Sequence, residues 1–181
     1  MDALKLYPVG IQTFERIRKE DKLYVDKTEY IYRMTHSGGC YFFLSRPRRF
    51  GKSLLVSTFQ SYFEGKKDLF KGLAIEKLET EWKTYPVFHI DFGTGSYANE
   101  DALNQIFEFY LSGWEKKYQI EREPGVTDYN LRFKKVLEEA HRQTGLRAVV
   151  LVDEYDKPLL DVMDTGYMVE HLGEQITLEE K

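Results

Sequence analysis

Cys40-Tyr41-Phe42-Phe43-Leu44-Ser45-Arg46-Pro47-Arg48-Arg49-Phe50-Gly51-Lys52-Ser53-Leu54-Leu55 decides the fold. The run 40–45 is short and continuously apolar, which suits a strand buried on both faces of a parallel sheet. Residues 52–64 then place Leu55, Phe59, Tyr62 and Phe63 at helical spacing, and Gly65 stands at the stop position. A strand, a turn and Gly-Lys-Ser opening a helix are the parts of a phosphate cradle. Backbone amides converge on the anion, the helix N-terminus backs them, and a lysine reaches the outer phosphates. Gly51 lets the backbone approach closely, Lys52 supplies the charge, and the Ser53 hydroxyl can join a magnesium shell. Arg49, Phe50, Gly51, Lys52, Ser53 and Leu54 are therefore the candidate nucleotide-binding residues.

One departure is plain. The pattern GxxxxGK[ST] wants a glycine where this chain has Arg46, and Pro47 then stiffens the turn by fixing φ. Arg46, Arg48 and Arg49 can contact phosphate or simply face solvent. Chance alone puts Gly-Lys-[Ser/Thr] in about one in ten chains of this length, so the tripeptide needs a partner motif.

That partner is Ala148-Val149-Val150-Leu151-Val152-Asp153-Glu154-Tyr155-Asp156, an apolar strand ending in adjacent acids. At such an edge Asp153 can hold magnesium, directly or through water. Glu154 can orient and deprotonate an attacking water, because phosphoryl transfer demands positioning more than covalent chemistry. Both would lie where open α/β sheets place ligands. Asp156 can join the metal shell, although capping the helix that Pro158 starts is the plainer role. Asp91, ending the apolar run 87–92, can also approach the water. The catalytic candidates are Glu154 and Lys52, and the metal candidates are Ser53 and Asp153.

The chain of 181 residues, 42% apolar and 31% charged, has the composition of a folded domain. A net charge of -4 gives no global pull toward nucleic acid or anionic membrane. With Cys40 the only cysteine, internal disulfides and thiolate metal clusters are excluded. No signal peptide or membrane-length apolar run is evident, so the expected location is the cytoplasm.

Outward from the loop, residues 8–20 read as a short amphipathic helix carrying Ile11, Phe14 and Ile17. A second helix over 27–36, capped by Asp26, would set Tyr30, Ile31 and Met34 on one face. Gly38-Gly39 breaks it. Further helices are expected over 99–118, with a stripe of Leu103, Ile106, Phe107, Tyr110, Leu111 and Trp114, and from Thr127 or Asp128 to about 143, stopped by Gly145. Pro124-Gly125 reads as a loop, 147–152 as a strand, and Asp164-Thr165-Gly166 as a turn. Strands separated by long helical segments imply crossovers and a parallel α/β sheet. The expected organisation is an N-terminal helical extension (1–36), a partial ATPase core (37–165) and a poorly structured tail (166–181).

Five segments together resemble one family. Pro8-Val9-Gly10-Ile11-Gln12-Thr13-Phe14, Tyr24-Val25-Asp26-Lys27-Thr28, the arginine-rich loop 43–53, Tyr62-Phe63-Glu64-Gly65 and Val152-Asp153-Glu154-Tyr155-Asp156-Lys157-Pro158 are similar to the bacterial predicted AAA-ATPase-like proteins. The resemblance covers about residues 7–166 and makes Arg46 the family's own variant. It implies an α/β P-loop NTPase fold, a three-layer α/β/α arrangement of the ASCE/AAA-like kind. It further implies ATP and Mg²⁺ as ligands, with the loop as Walker A and the acids as Walker B. It places Tyr24-Val25-Asp26-Lys27-Thr28 where related ATPases have a nucleotide-contacting segment, although a helix cap explains it equally well. Family members are usually longer, often with a C-terminal nuclease-like domain of the PD-(D/E)xK type. Contact with nucleic acid would come through that missing domain. Homo-oligomers or a partner protein are compatible with it.

Such ATPases order their strands 5-1-4-3-2, making 40–45 strand 1, 87–92 strand 2 and 147–152 strand 3. Nothing after residue 160 reads as strand 4 or strand 5. Removing the middle strand leaves a gap of about 9.6 Å flanked by unpaired backbone, which a sheet does not tolerate. The expectation is a fragmentary copy, incomplete at its C-terminus, with hydrolysis impaired even where nucleotide binds. A non-hydrolysing nucleotide-binding or interaction module is the alternative. Direct nucleic-acid binding through Arg46, Arg48 and Arg49 is a third reading.

Overall fold

The computed structural model describes residues 4–47, 49–97, 100–122, 125, 127–163, 168–171 and 174–177, with residues 100, 168–171 and 174–177 as backbone alone. Arg48, Pro124 and the turn 164–166 lie outside these. The chain divides into two compact units, Met1–Val87 and Phe88–Lys181.

In the first unit, α1 (Phe14–Lys19), α2 (Thr28–Thr35) and α3 (Lys52–Phe63) pack with two 3-10 turns, Lys67–Phe70 and Ala74–Lys77. Phe14, Ile31, Tyr62, Phe70, Leu73 and Ile75 form the core. Phe14 lies 4.8 Å from Phe70 and 5.1 Å from Tyr24 between ring centroids, so bulky rings fill the centre. Helix α1 packs directly on α3, and the Phe14 amide donates to Ser57 Oγ at 2.9 Å. The N-terminal helices and the phosphate-loop helix thus share one core. Tyr30 was expected on the same face as Ile31 but is exposed, because only Ile31 points into this cluster.

Asp26, expected to cap α2, lies one residue before its N-cap Lys27 and holds the first helical residue instead. Its Oδ1 accepts from the Thr28 amide and hydroxyl, and its Oδ2 accepts from the Ala74 amide at 2.7 Å. Burial pushes the Asp26 carboxyl up, but the amides of Thr28 and Ala74 outweigh it and hold the group below its ordinary range. The fully buried Thr28 accepts in turn from the Ile75 amide. Tyr24-Val25-Asp26-Lys27-Thr28 therefore ties α2 to the 3-10 turn at 74–77, which accounts for Asp26 and Thr28 by packing.

In the second unit, β1 (Val87–Asp91) leads through α4 (Glu100–Lys117) and α5 (Tyr129–Thr144) into β2 (Val149–Asp153). The two strands pair in parallel, as neighbouring strands 2 and 3 should. Asp128 caps α5 by accepting from the Asn130 and Leu131 amides, and Gly145 ends it at φ +67°. Phe88, Leu111, Tyr118, Val136 and Ala140 form the core, flanked by Trp114, Phe133 and Ala148. Burial of each large side chain contributes about 1.5–3 kcal/mol. Arg132, buried in the helix pair, is held bidentately by Glu115 at 2.7 and 2.8 Å and also bonds Glu108.

Two sequence expectations are corrected. The run 40–45 belongs to no strand ladder, and Tyr41 is 97% exposed. The strands that would flank it in the expected order, 4 and 5, are not formed among the described residues. β2, read from sequence as an apolar strand ending in acids, leaves Val150 and Val152 exposed. Residues 166–181, read as a poorly structured tail, contain an antiparallel hairpin of β3 (Met168–His171) and β4 (Glu174–Thr177), with Met168 opposite Thr177. Scattered apolar positions give such a hairpin a weak periodic signal, because its ladder is made by the main chain. It forms its own sheet and does not extend β1–β2. A small mixed α/β architecture stands, with one two-stranded parallel sheet.

Candidate functional site

The phosphate-loop residues lie in the first unit. Arg49 takes φ +67° and Gly51 φ +74°, so two left-handed residues bracket Phe50 just before the helix. Alternation of left-handed and ordinary backbone turns successive amides inward and makes an anion-binding concavity. Gly51 bears this conformation without the Cβ penalty, whereas Arg49 adopts it as a strained non-glycine residue. Its own Cβ position is open, so the requirement at 51 is conformational. The Gly51 carbonyl accepts from the Leu55 amide at 3.0 Å, which starts α3 with Lys52 and Ser53 in its first turn. The free amides of that turn and the helix dipole favour an anion there. Lys52 is half-buried and has no ion-pair partner among the described residues. An unneutralised lysine at a helix N-terminus is electrostatically out of place without an anion. Phe50 is exposed and Leu54 packs toward the core of α3. Arg46 is exposed, and Arg48 lies outside the described residues.

The acids lie in the second unit, at the C-terminal ends of the parallel strands. Asp153 ends β2 and is only 7% exposed. Its Oδ1 accepts from the Glu154 amide at 3.0 Å, and no cation balances it among the described residues. Glu154 sits at φ +50°, and its carbonyl accepts from the Lys157 amide, turning the chain into α6 (Lys157–Met163). Left-handed backbone at a glutamate costs energy that the surrounding turn must hold in place. Asp156 Oδ1 is buried with no hydrogen-bond partner among the described residues.

Asp91 ends β1 and comes to the same place. Its Oδ1 accepts from the Gly93 amide at 2.8 Å. A Cβ on Gly93 would stand 2.9 Å from that oxygen and 3.3 Å from Glu154 Cγ, so both acidic side chains crowd one point. Tyr110 fixes the Asp91 backbone, its oxygen accepting from the Asp91 amide at 3.0 Å and its hydroxyl donating to the carbonyl. Tyr97 donates to the Phe92 carbonyl, and its amide donates to Asp161, which Lys157 neutralises. Gly93 and Tyr97 were not singled out from sequence, and Tyr110 was read only as part of the apolar stripe of its helix. A glycine two residues beyond an acidic strand end was the available signal.

The acidic oxygens suit a hard cation. No group of three or more His, Cys, Asp or Glu forms a metal cage among the described residues. Mg²⁺ takes one or two protein oxygens and fills its octahedron with water and phosphate. The orphaned Asp156 oxygen and the uncompensated Asp153 are compatible with it.

The sequence profile of the Predicted AAA-ATPase family matches residues 8–178, and the chain belongs to that family. It is 40% identical over 161 residues to a protein of Azotobacter chroococcum mcd 1 named "Uncharacterized protein in vnfD 5'region". The match takes in 87% of this chain and 30% of the relative, so the chain spans under a third of the relative's length. No solved structure matches. Among the described residues no helix is long and apolar enough to cross a membrane.

Proposed function

We propose that this chain is the ATP-binding part of an AAA-like P-loop ATPase. The observation that carries the reading is the loop itself, with left-handed backbone at Arg49 and Gly51 running into a helix whose first residue is Lys52, a lysine with no ion-pair partner among the described residues. In this reading the amides of residues 49–54 bind the phosphates and Lys52 neutralises their outer charge. Ser53 is the loop's own candidate ligand for Mg²⁺ and Asp153 the candidate at the strand end, and Mg²⁺ would supply charge neutralisation on the phosphates when bound. Glu154 orients a water and takes its proton at a carboxylate oxygen. Asp91, crowded against Glu154 across Gly93, restricts where that carboxylate can point.

A non-hydrolysing nucleotide-binding module is the second reading, favoured by the exposed run 40–45 beside the loop. ATP calorimetry on Lys52→Ala, beside turnover of Glu154→Gln, separates the two. The ATPase reading expects Lys52→Ala to weaken ATP about 30-fold or more, a loss of ~2 kcal/mol from one charge-assisted contact. It expects Glu154→Gln to bind normally and to lose turnover. Binding without turnover in the unmodified chain supports the second reading, and no binding at all refutes both.

A further inference from the structure

We infer that His36 and Glu79 are the two protein ligands of a zinc-class divalent ion, held in the first unit apart from the site proposed above. A cavity of about 120 Å³ lies where the ends of α2 and α3 meet the segment 79–85, and His36, Tyr62, Glu79, Glu81 and Lys83 line it. At about 30 Å³ per water, that volume takes an ion and a few waters. His36 follows the last residue of α2, its ring stacked on Tyr32 at 4.0 Å between centroids. Its Nδ1 stands 2.9 Å from the Tyr32 carbonyl oxygen. A carbonyl only accepts, so the proton of the neutral imidazole sits on Nδ1 and the lone pair on Nε2. That Nε2 faces Glu79 Oε2 at 3.9 Å. Tying the remote ring nitrogen to a carbonyl is how metal-binding histidines fix their tautomer and ring direction.

Charge identifies the occupant as a cation. The Glu79 side chain is only 5% exposed, and its carboxylate accepts from the Tyr62 hydroxyl and, at 2.8 Å, from the Glu81 amide. Neither donor carries a charge. Lys83 is paired with Glu81 at 2.6 Å, so with a neutral imidazole the wall keeps one negative charge, and it is the buried one. No lysine or arginine pairs with Glu79 among the described residues. A carboxylate buried in this way is costly unless a cation balances it. Imidazole nitrogen with carboxylate oxygen suits zinc-class ions, with bonds of about 2.0–2.2 Å, whereas Mg²⁺ takes oxygen. Two such ligands on a tetrahedral ion stand about 3.4 Å apart, so the half-exposed ring has to close by about 0.5 Å. Water completes the shell, since no cage of three or more such side chains forms among the described residues.

Calorimetric titration of Zn²⁺ into the untagged, metal-free chain tests this without nucleotide, so its outcome is independent of the ATP reading. The expected result is a zinc site that His36→Ala abolishes. Glu79→Gln should weaken it at least about tenfold, as should Tyr62→Phe, which removes a hydrogen bond that orients the carboxylate. His141 is the control, its Nδ1 tied in the same way to the Leu146 carbonyl at 2.9 Å, and His141→Ala should leave the affinity unchanged. Long-range proton–nitrogen spectra of the wild-type imidazoles give a readout that needs no variant. Nε2 of His36 should shift as zinc is added while Nδ1 keeps its proton. Three outcomes overturn the inference. No uptake of zinc would mean that a proton, not a metal, balances the buried carboxylate. Uptake unchanged in His36→Ala, or abolished in His141→Ala, would put the ion elsewhere. Zinc bound with the His36 nitrogen signals unmoved would leave this ring outside the shell.

Discussion

A Cβ on residue 93 would meet Asp91 Oδ1 at 2.9 Å and Glu154 Cγ at 3.3 Å, so glycine is what lets the two strand ends close. Gly93→Ala should displace the Asp91 carboxylate, break its bond to the residue-93 amide, and cost about 1 kcal/mol. Urea unfolding measures that loss, and a midpoint equal to wild type would show that the strand ends have slack. At Gly51 the constraint differs, since the space is open but φ is +74°. Gly51→Ala should fold with a penalty of about 1 kcal/mol and hold the loop amides less well for phosphate. An unaltered midpoint there would mean that the left-handed bend is not required. Lys52, Ser53, Asp153 and Glu154 were legible as residues from two short motifs. The approach of Asp91 to Glu154 was not fixed by either motif, because it depends on which strands pair and on a glycine that carries no side chain.

Helices α3, α4 and α5 were legible because their signals are local. Apolar spacing sets the face, Asp128 starts α5, and Gly145 at φ +67° stops it. Strands were harder, since their stability resides in partners distant in sequence. The run 87–92 pairs with β2, whereas 40–45 joins no strand ladder among the described residues, and the same apolar pattern ends buried in one case and exposed in the other.

The α4–α5 pair also depends on Arg132. Its guanidinium is buried against Glu115, and removing one partner of such a pair costs about 3–5 kcal/mol. Arg132→Ala should therefore unfold the second unit at much lower urea, and a small shift would show that the pair is dispensable. Hydrogen bonds from Arg132 and then Ser112 lower the Glu108 carboxyl from 4.5 to about 2. A carboxyl whose pKa falls on folding stabilises above its unfolded pKa and loses that contribution as pH falls toward the folded one. The urea-midpoint advantage of wild type over Glu108→Gln should be full near neutrality and shrink between about pH 4.5 and pH 2. Half-exposure of this carboxylate keeps the effect modest. An advantage that grew on acidification would contradict the assignment.

Across the molecule, two compact units each carry one half of the chemistry expected of a nucleotide-hydrolysing domain: the phosphate loop in residues 1–87 and the acids in 88–181. Membership of the family and the parallel pairing of β1 with β2 agree with the fold class read from sequence. The three-layer sheet expected around 40–45 is not formed among the described residues, because a central strand cannot be built without its neighbours. The proposed function assigns Lys52 to the phosphates of ATP and Asp153 to Mg²⁺. ATP affinity measured with and without Mg²⁺ on wild type, Lys52→Ala and Asp153→Asn tests it most directly. The account predicts that Lys52→Ala weakens ATP in both conditions and Asp153→Asn only with Mg²⁺. Wild-type affinity in Lys52→Ala, or a loss in Asp153→Asn that ignores the metal, would contradict it.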